Sequence, residues 1–418
     1  MRILFTHIKG LVGAYEQAPA YLAGADMNEF SVLDDAWLAV EDGRIADFGR
    51  MADFEGIADW SGLQVVNCEG RFVLPSWVDS HTHLVYAADR ASEFLDRLNG
   101  LSYQTIAQRG GGILNSAERL QSMSEDALYA AARERLERAL NDGIGALEIK
   151  TGYGLTVQAE LKMLRVIGRL KREAPIPIKA TLLGLHAVPS GMTAAEWTAQ
   201  AIEELLPQAA GSVDYIDAFC EQGYFGLEET EAWLAAGAAA GIPAKVHVNQ
   251  FNAFGGVELC AKWSARSVDH LEELNEADIP ALQSTLNRPE GPMFPVALPG
   301  CSHFLSIPYT PGRELIDAGL PLVLATDHNP GSAPSGSMRL AVQLAIVKMR
   351  LRPLEAIAAA TLNAAAAMDV SGEVGAIAPG YRANLLLTRP MDDLIEIGYR
   401  FGEDPVERVF MNGVELPH

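Results

Sequence analysis

From about residue 72 to 370 the chain alternates short apolar runs with longer helical stretches, and this alternation constrains its fold most. Eight runs read as strands: Phe72–Val78, Ala146–Lys150, Ile178–Leu183, Tyr215–Cys220, Ala244–Val248, Ser267–Leu271, Phe294–Leu298 and Pro321–Ala325. Helical stretches between them include 124–141, 157–174, 194–206 and 227–240. Strands separated by helices pair in parallel through crossover connections. About 300 residues with eight such strands suit a (β/α)8, TIM-like barrel. A doubly wound open sheet is the alternative, but no Gly-x-Gly-x-x-Gly turn follows the first strand, as a dinucleotide fold would require.

The ends of the chain differ from this middle. Ala36–Val40 and Ile45–Gly49 flank the turn Glu41-Asp42-Gly43-Arg44, and Gln64–Cys68 follows as another short strand. Ala383–Leu387 and Val406–Phe410 are strand candidates near the C-terminus, and Asn412-Gly413 is a second hairpin signal. The expected organisation is α/β. Residues 1–70 plus 372–418 form a composite β-sandwich module, and residues 71–371 form the barrel. The alanine-rich stretches 235–240 and 356–367 read as helices whose small residues permit close packing.

Composition excludes several functions. The formal net charge is −22 over 418 residues, which disfavours nucleic acid or an anionic membrane as a partner. An anionic substrate would need a local basic anchor. The four cysteines, Cys68, Cys220, Cys260 and Cys301, are far apart and resemble neither a disulfide framework nor a structural zinc knot. With no signal-peptide pattern at the N-terminus and no long apolar run, a cytoplasmic location is expected.

In a barrel, function gathers where strands end at the C-terminal face. Seven of the nine histidines fall there: His81, His83, His186, His247, His270, His303 and His328, leaving only His7 and His418 elsewhere. His81 and His83 are an i, i+2 pair, so both rings reach one face of a strand. Imidazoles together with an aspartate suit zinc or iron(II) with positions left open for water. Such an ion brings the pKa of its water down toward ~7. By residue type, His270 and Asp327 are the candidates for proton transfer.

These residues resemble the amidohydrolase superfamily and, within it, the imidazolonepropionase family. The resemblance is carried by Asp79-Ser80-His81-Thr82-His83-Leu84-Val85, Arg90 with Glu93-Phe94, and Gly100-Leu101-Ser102-Tyr103. It continues through Gly110-Gly111-Gly112-Ile113, Glu148-Ile149-Lys150-Thr151-Gly152-Tyr153-Gly154 and His186-Ala187-Val188-Pro189. Val268-Asp269-His270-Leu271 and Thr326-Asp327-His328-Asn329-Pro330-Gly331-Ser332 complete it.

The resemblance implies one divalent metal ion, Zn2+ or Fe2+/Fe3+, held by His81, His83, His247 and Asp327. It implies substrate contacts from Arg90, Tyr153, His186, Asn329 and Gly331, with Ser332 beside them. Arg90 would be the fork for a propionate carboxylate. It implies hydrolysis of the cyclic amide of 4-imidazolone-5-propanoate to N-formimino-L-glutamate, a step of histidine degradation, and a possible homodimer acting on a small molecule. One position departs from the pattern. Some members place a glutamate three residues after the histidine of the fifth strand, and here that residue is Gln250, which cannot take a proton. Gln250 is therefore expected to position substrate, with His270 and Asp327 moving protons. Lys150, a carboxylated bridge in two-metal relatives of the superfamily, is expected to be structural or a partner behind the ligands. Two other readings are a deaminase of a heterocyclic amine and a non-catalytic metal-binding barrel.

Overall fold

The computed structural model describes residues 1–101, 105 and 112–417. Ser102, Tyr103, Gly110, Gly111 and His418, which figured in the sequence reading, lie outside them. Eight parallel strands pair in chain order: Trp77–Asp79, Ile144–Lys150, Ile178–Leu185, Tyr215–Cys220, Lys245–Val248, Ser267–His270, Phe294–Ala297 and Val323–Leu324. Every residue of Ile144–Lys150, Tyr215–Cys220 and Ser267–His270 is buried, as expected of parallel strands covered on both faces. Helices form the outer layer. Glu125–Asn141 and Val157–Glu173 start at Ser124 and Thr156, whose side chains accept hydrogen bonds from backbone N–H groups of the first turn.

An open doubly wound sheet reverses its strand order at a switch point; this sheet does not, and its two ends meet. Thr82 bridges His328 in parallel. The N–H of Asp327 donates to the His81 carbonyl at 3.0 Å, and the N–H of His83 donates to the His328 carbonyl at 2.8 Å. The barrel therefore closes between the very residues singled out as metal ligands.

The terminal segments form a second, mixed sheet of eight strands. Its centre is Arg2–Val12, which runs antiparallel to Val32–Glu41 and parallel to Leu63–Asn67 and Phe72–Pro75. Leu385–Thr388, Val406–Met411 and Val414–Leu416 extend it. Both expected hairpin turns form with positive φ at their two central residues, Asp42-Gly43 and Asn412-Gly413. Its core includes Ile3, Phe5, Leu38, Val40 and Phe410, with the Phe5 and Phe410 rings edge to face at 5.1 Å.

The apolar run Phe72–Val78, expected as one barrel strand, is divided. Phe72–Pro75 belongs to the mixed sheet, and only Trp77–Asp79 enters the barrel. The chain changes sheets at Ser76. Its N–H donates to the Asn384 carbonyl, whereas that of Trp77 donates to Gly143. Gly145 lies so close that an added Cβ would fall 1.9 Å from Ser76 Oγ, so only glycine allows the crossing. Within the run only Pro75-Ser76 interrupts the apolar pattern, and it marks the switch. The stretch 194–206, expected as one helix, is α-helical over Ala194–Gln200 and widens to a π-turn over Ala201–Leu205.

Candidate active site

The strand ends converge on a buried group of nitrogen and oxygen donors. Nε2 of His81 and Nε2 of His83 each lie 3.5 Å from Asp327 Oδ1. Nε2 of His247 lies 3.4 Å from Nε2 of His83. Donors bound to one tetrahedral ion at ~2.1 Å sit about 3.4 Å apart, so these separations suit a cation. The backbone is strained around them: Asn249, His270, Leu271 and Asp327 all have positive φ, a conformation that persists only where the surroundings enforce it.

Carboxylates behind the histidines orient them. Asp269 Oδ2 lies 2.5 Å from His81 Nδ1, and Asp217 Oδ2 lies 2.9 Å from His247 Nδ1. Such partners fix the ring tautomer and turn Nε2 toward an ion. His81 Nε2 has no hydrogen-bond partner among the described residues. Burial, assisted by Lys150 and neighbouring imidazoles, pushes the His81 and His247 pKa values well down. Both rings are therefore neutral, as metal ligands must be. The residues present fit a divalent ion.

Lys150 lies beneath this layer, with Nζ at 2.6 Å from Glu148, 2.9 Å from Asp217 and 3.7 Å from Asp269. Burial alone would lower its pKa, but these three carboxylates outweigh burial and raise it. That is the setting of an ammonium; a carbamate, being an anion, would be repelled. Lys245 completes the network through Glu148 and the Ser80 carbonyl. Asp79 ties down the last strand, accepting from Thr326 N and Oγ1 at 3.0 and 2.6 Å.

A cavity of about 210 Å³ opens over the donors. Tyr153, His186, Gln250, His270, Asn329 and Ser332 line it, as do Phe219 and Tyr224. His186 stacks on His83, with centroids 5.2 Å apart and planes within 16°. Its Nδ1 meets the Gly152 carbonyl at 2.9 Å, which leaves Nε2 as an acceptor. Gly152 is needed here: its φ is +103°, and a Cβ would press within 2.8 Å of that Nδ1.

His270 Nδ1 faces both Glu272 oxygens at 3.3 Å, and Ser302 Oγ donates to Glu272 at 3.0 Å. Burial would lower the His270 pKa, but Glu272 outweighs it and the net shift is upward. Asp327 is the reverse: burial would raise its pKa, but His83, His270 and His247 hold it down at about 2. Gln250 spends its amide on the Cys301 thiol, with Nε2 to Sγ 3.4 Å.

Two residues expected at the substrate lie elsewhere. Arg90 and Gly331 line a neighbouring cavity of about 340 Å³. The Asn329–Ser332 turn divides the two cavities. Asn329 shapes that turn: its Oδ1 accepts from the N–H groups of Gly331 and Ser332, and its Nδ2 donates to the Asp327 carbonyl and Ser332 Oγ. Arg90 pairs with Glu93 at 2.7 Å and lies flat on Gly331, where a Cβ would stand 2.3 Å from Nη1. The histidine census also counted too many. His303 turns outward to Tyr309. His328 faces the second cavity, its pKa lowered to about 4 by burial and by Arg135 and Arg138.

Sequence reading missed Asp217, Asp269 and Glu272 as working groups. Asp269 and Glu272 flank His270, so their proximity was a usable signal. Nothing in the sequence pairs Asp217 with His247.

An imidazolonepropionase from Flavobacterium johnsoniae is 48% identical over 417 residues, covering 99% of both chains. The chain belongs to the imidazolonepropionase family. Family members from Christiangramia forsetii and Geobacillus kaustophilus are 48% and 35% identical, each over 99% of this chain and over 99% and 97% of their own. The amidohydrolase family profile matches residues 293–416. Among solved structures, an adenosine deaminase from Xanthomonas campestris with bound zinc superposes with a TM-score of 0.70 at 16% identity, over 99% of this chain and 92% of that one. Guanine deaminase from E. coli gives 0.68 at 12% identity, over 100% and 99%. These likenesses show that this chain shares its barrel fold with both deaminases.

Proposed function

We propose that the protein hydrolyses the ring amide of 4-imidazolone-5-propanoate to N-formimino-L-glutamate. Near-complete coverage by imidazolonepropionase relatives supports the substrate. The observation that carries the chemistry is the convergence of His81, His83, His247 and Asp327 beneath a cavity walled by His270. A single Zn2+ or iron ion held by those four would supply Lewis acidity and an acidified water.

The chain's own groups do the rest. Asp327 is ionised in the resting site, so it starts as an acceptor, and a weak one that passes its proton on readily, and it holds no proton to donate at the outset. His270, its pKa raised beside Glu272, is the better proton donor to the departing ring nitrogen. His186 offers Nε2 to a ring N–H, and Tyr153 and Phe219 wall the ring. Gln250, its Nε2 engaged by the Cys301 thiol, would position substrate through the oxygen of its amide. Ser332, whose Oγ lies 3.4 Å from Asp327 Oδ2, faces the same space. Arg90 lies in the neighbouring cavity, so it would anchor the propionate carboxylate only with the dividing Asn329–Ser332 turn moved aside, the carboxylate then taking the place of Glu93 on the guanidinium.

Element analysis combined with a turnover assay on imidazolonepropionate tests the ion and the substrate together. One zinc or iron per chain and activity lost on chelation are expected. Turnover that survives complete metal removal, or a preference for aminated heterocycles, would overturn the reading. Cytoplasmic residence fits four buried unpaired cysteines and the absence, among the described residues, of a helix long and apolar enough to cross a membrane.

A further inference from the structure

A second cluster of metal-ligating side chains lies across the active-site floor from the first. His270, Glu272 and Cys301 are all buried, and one donor atom from each lies within 4.8 Å of the other two. This triad shares no residue with His81, His83 and His247. The spacing between His270 Nδ1 and the Glu272 carboxylate, 3.3 Å, is close to the ~3.4 Å between ligands of a tetrahedral zinc. Beyond its 3.3 Å contact with His270 Nδ1, the buried Glu272 Oε2 has no hydrogen-bond partner among the described residues, although a carboxylate oxygen out of water ordinarily has one. Imidazole, carboxylate and thiolate together form a set that selects zinc over harder ions. A route in exists. His270 and Gln250 both line the cavity, and Gln250 Nε2 covers the Cys301 thiol.

We infer that His270, Glu272 and Cys301 form a second, lower-affinity zinc site whose occupation switches the enzyme off. Binding replaces the S–H proton of Cys301 with a zinc–sulfur bond and releases that proton to solvent. It draws the Gln250 amide off the thiol and occupies the ring nitrogen of His270 that faces Glu272. The fourth position is left to water. Occupancy of the site does not depend on the reaction assigned above; the inhibition rests on the reading of His270 as proton donor.

Cobalt titration of the metal-stripped full-length protein separates the two. The first site has no sulfur ligand, so thiolate-to-cobalt charge transfer in the near ultraviolet should appear only with the second equivalent. Equilibrium dialysis with zinc should reach two ions per chain in the wild type and one in Cys301→Ser or Glu272→Gln. In the one-zinc enzyme, excess zinc should lower turnover of imidazolonepropionate by about 10²-fold, the scale of losing one acid–base group. Cys301→Ser should keep its basal turnover and lose this inhibition. Saturation at one ion with no charge-transfer band, or a second ion retained by both variants, would overturn the site whatever the substrate proves to be. A second ion bound without loss of turnover would leave the site standing and overturn its role as a switch.

Discussion

The metal cradle is built from residues at strand ends, whereas Arg90 sits just before the helix Ala91–Leu98, and the two are held differently. Donors in the cradle are fixed from behind. Backbone hydrogen bonds close the barrel between His81 and Asp327, carboxylates hold His81 and His247, and Lys150 neutralises those carboxylates. Arg90 is held from the front by Glu93, whose other oxygen accepts from Gly112 N at the start of a helix lining the catalytic cavity. The cradle is ready for its ion. The anchor already grips a carboxylate of its own, and substrate must compete with it. Preorganisation therefore favours metal affinity in one region, while exchange of partners governs substrate affinity in the other.

Breaking the cradle should have the largest effect. His247→Ala should lose stoichiometric metal and several kcal/mol of transition-state stabilisation, a fall in kcat/KM of about 10³-fold; element analysis beside steady-state kinetics reads both. Retention of full metal content would show that His247 is not a ligand.

Removing the proton donor comes next. His270→Ala should keep its metal and lose about 10²–10³-fold in kcat. Glu272→Gln should act through pH. The group that raises the His270 pKa is lost, so the protonated donor disappears at lower pH, and the alkaline limb of the kcat profile should move toward acid. An unmoved limb would separate His270 from that ionisation.

Loosening the cradle from behind should have a smaller effect. Asp217→Asn should weaken metal binding by about 10–100-fold, the usual scale for such partners, as read by competition with a chromophoric chelator. A full loss of fold instead would show that the Lys150 network supports the barrel more than the ligands.

The anchor should yield the smallest effect and one of a different kind. Arg90→Ala should raise KM by about tenfold or more, the scale of a charged hydrogen bond, with metal content unchanged. Glu93→Gln should lower KM, because the competing carboxylate is gone. If both variants raised KM equally, Glu93 would be positioning Arg90 rather than occupying its place.

Much of this was legible in the chain itself. Alternating apolar and helical stretches, with seven histidines after the apolar runs, pointed to a barrel with a polar face suited to a metal; the particular ligand set came from the family resemblance. These are local, periodic signals that depend only on residues a few positions apart. Tertiary structure alone decided the rest. His81 meets Asp269 across 188 positions, and Asp217 reaches His247 from a separate strand. The run Phe72–Val78 divides between two sheets because the backbone of Ser76 finds Asn384. His303 points outward to Tyr309 from the helix Pro299–Leu305, and the His328 side chain faces the second cavity. Arg90 rests on Glu93 rather than facing the catalytic cavity. Side-chain type and spacing say what a group can do, but partnership through space fixes its charge, its orientation and what already occupies it.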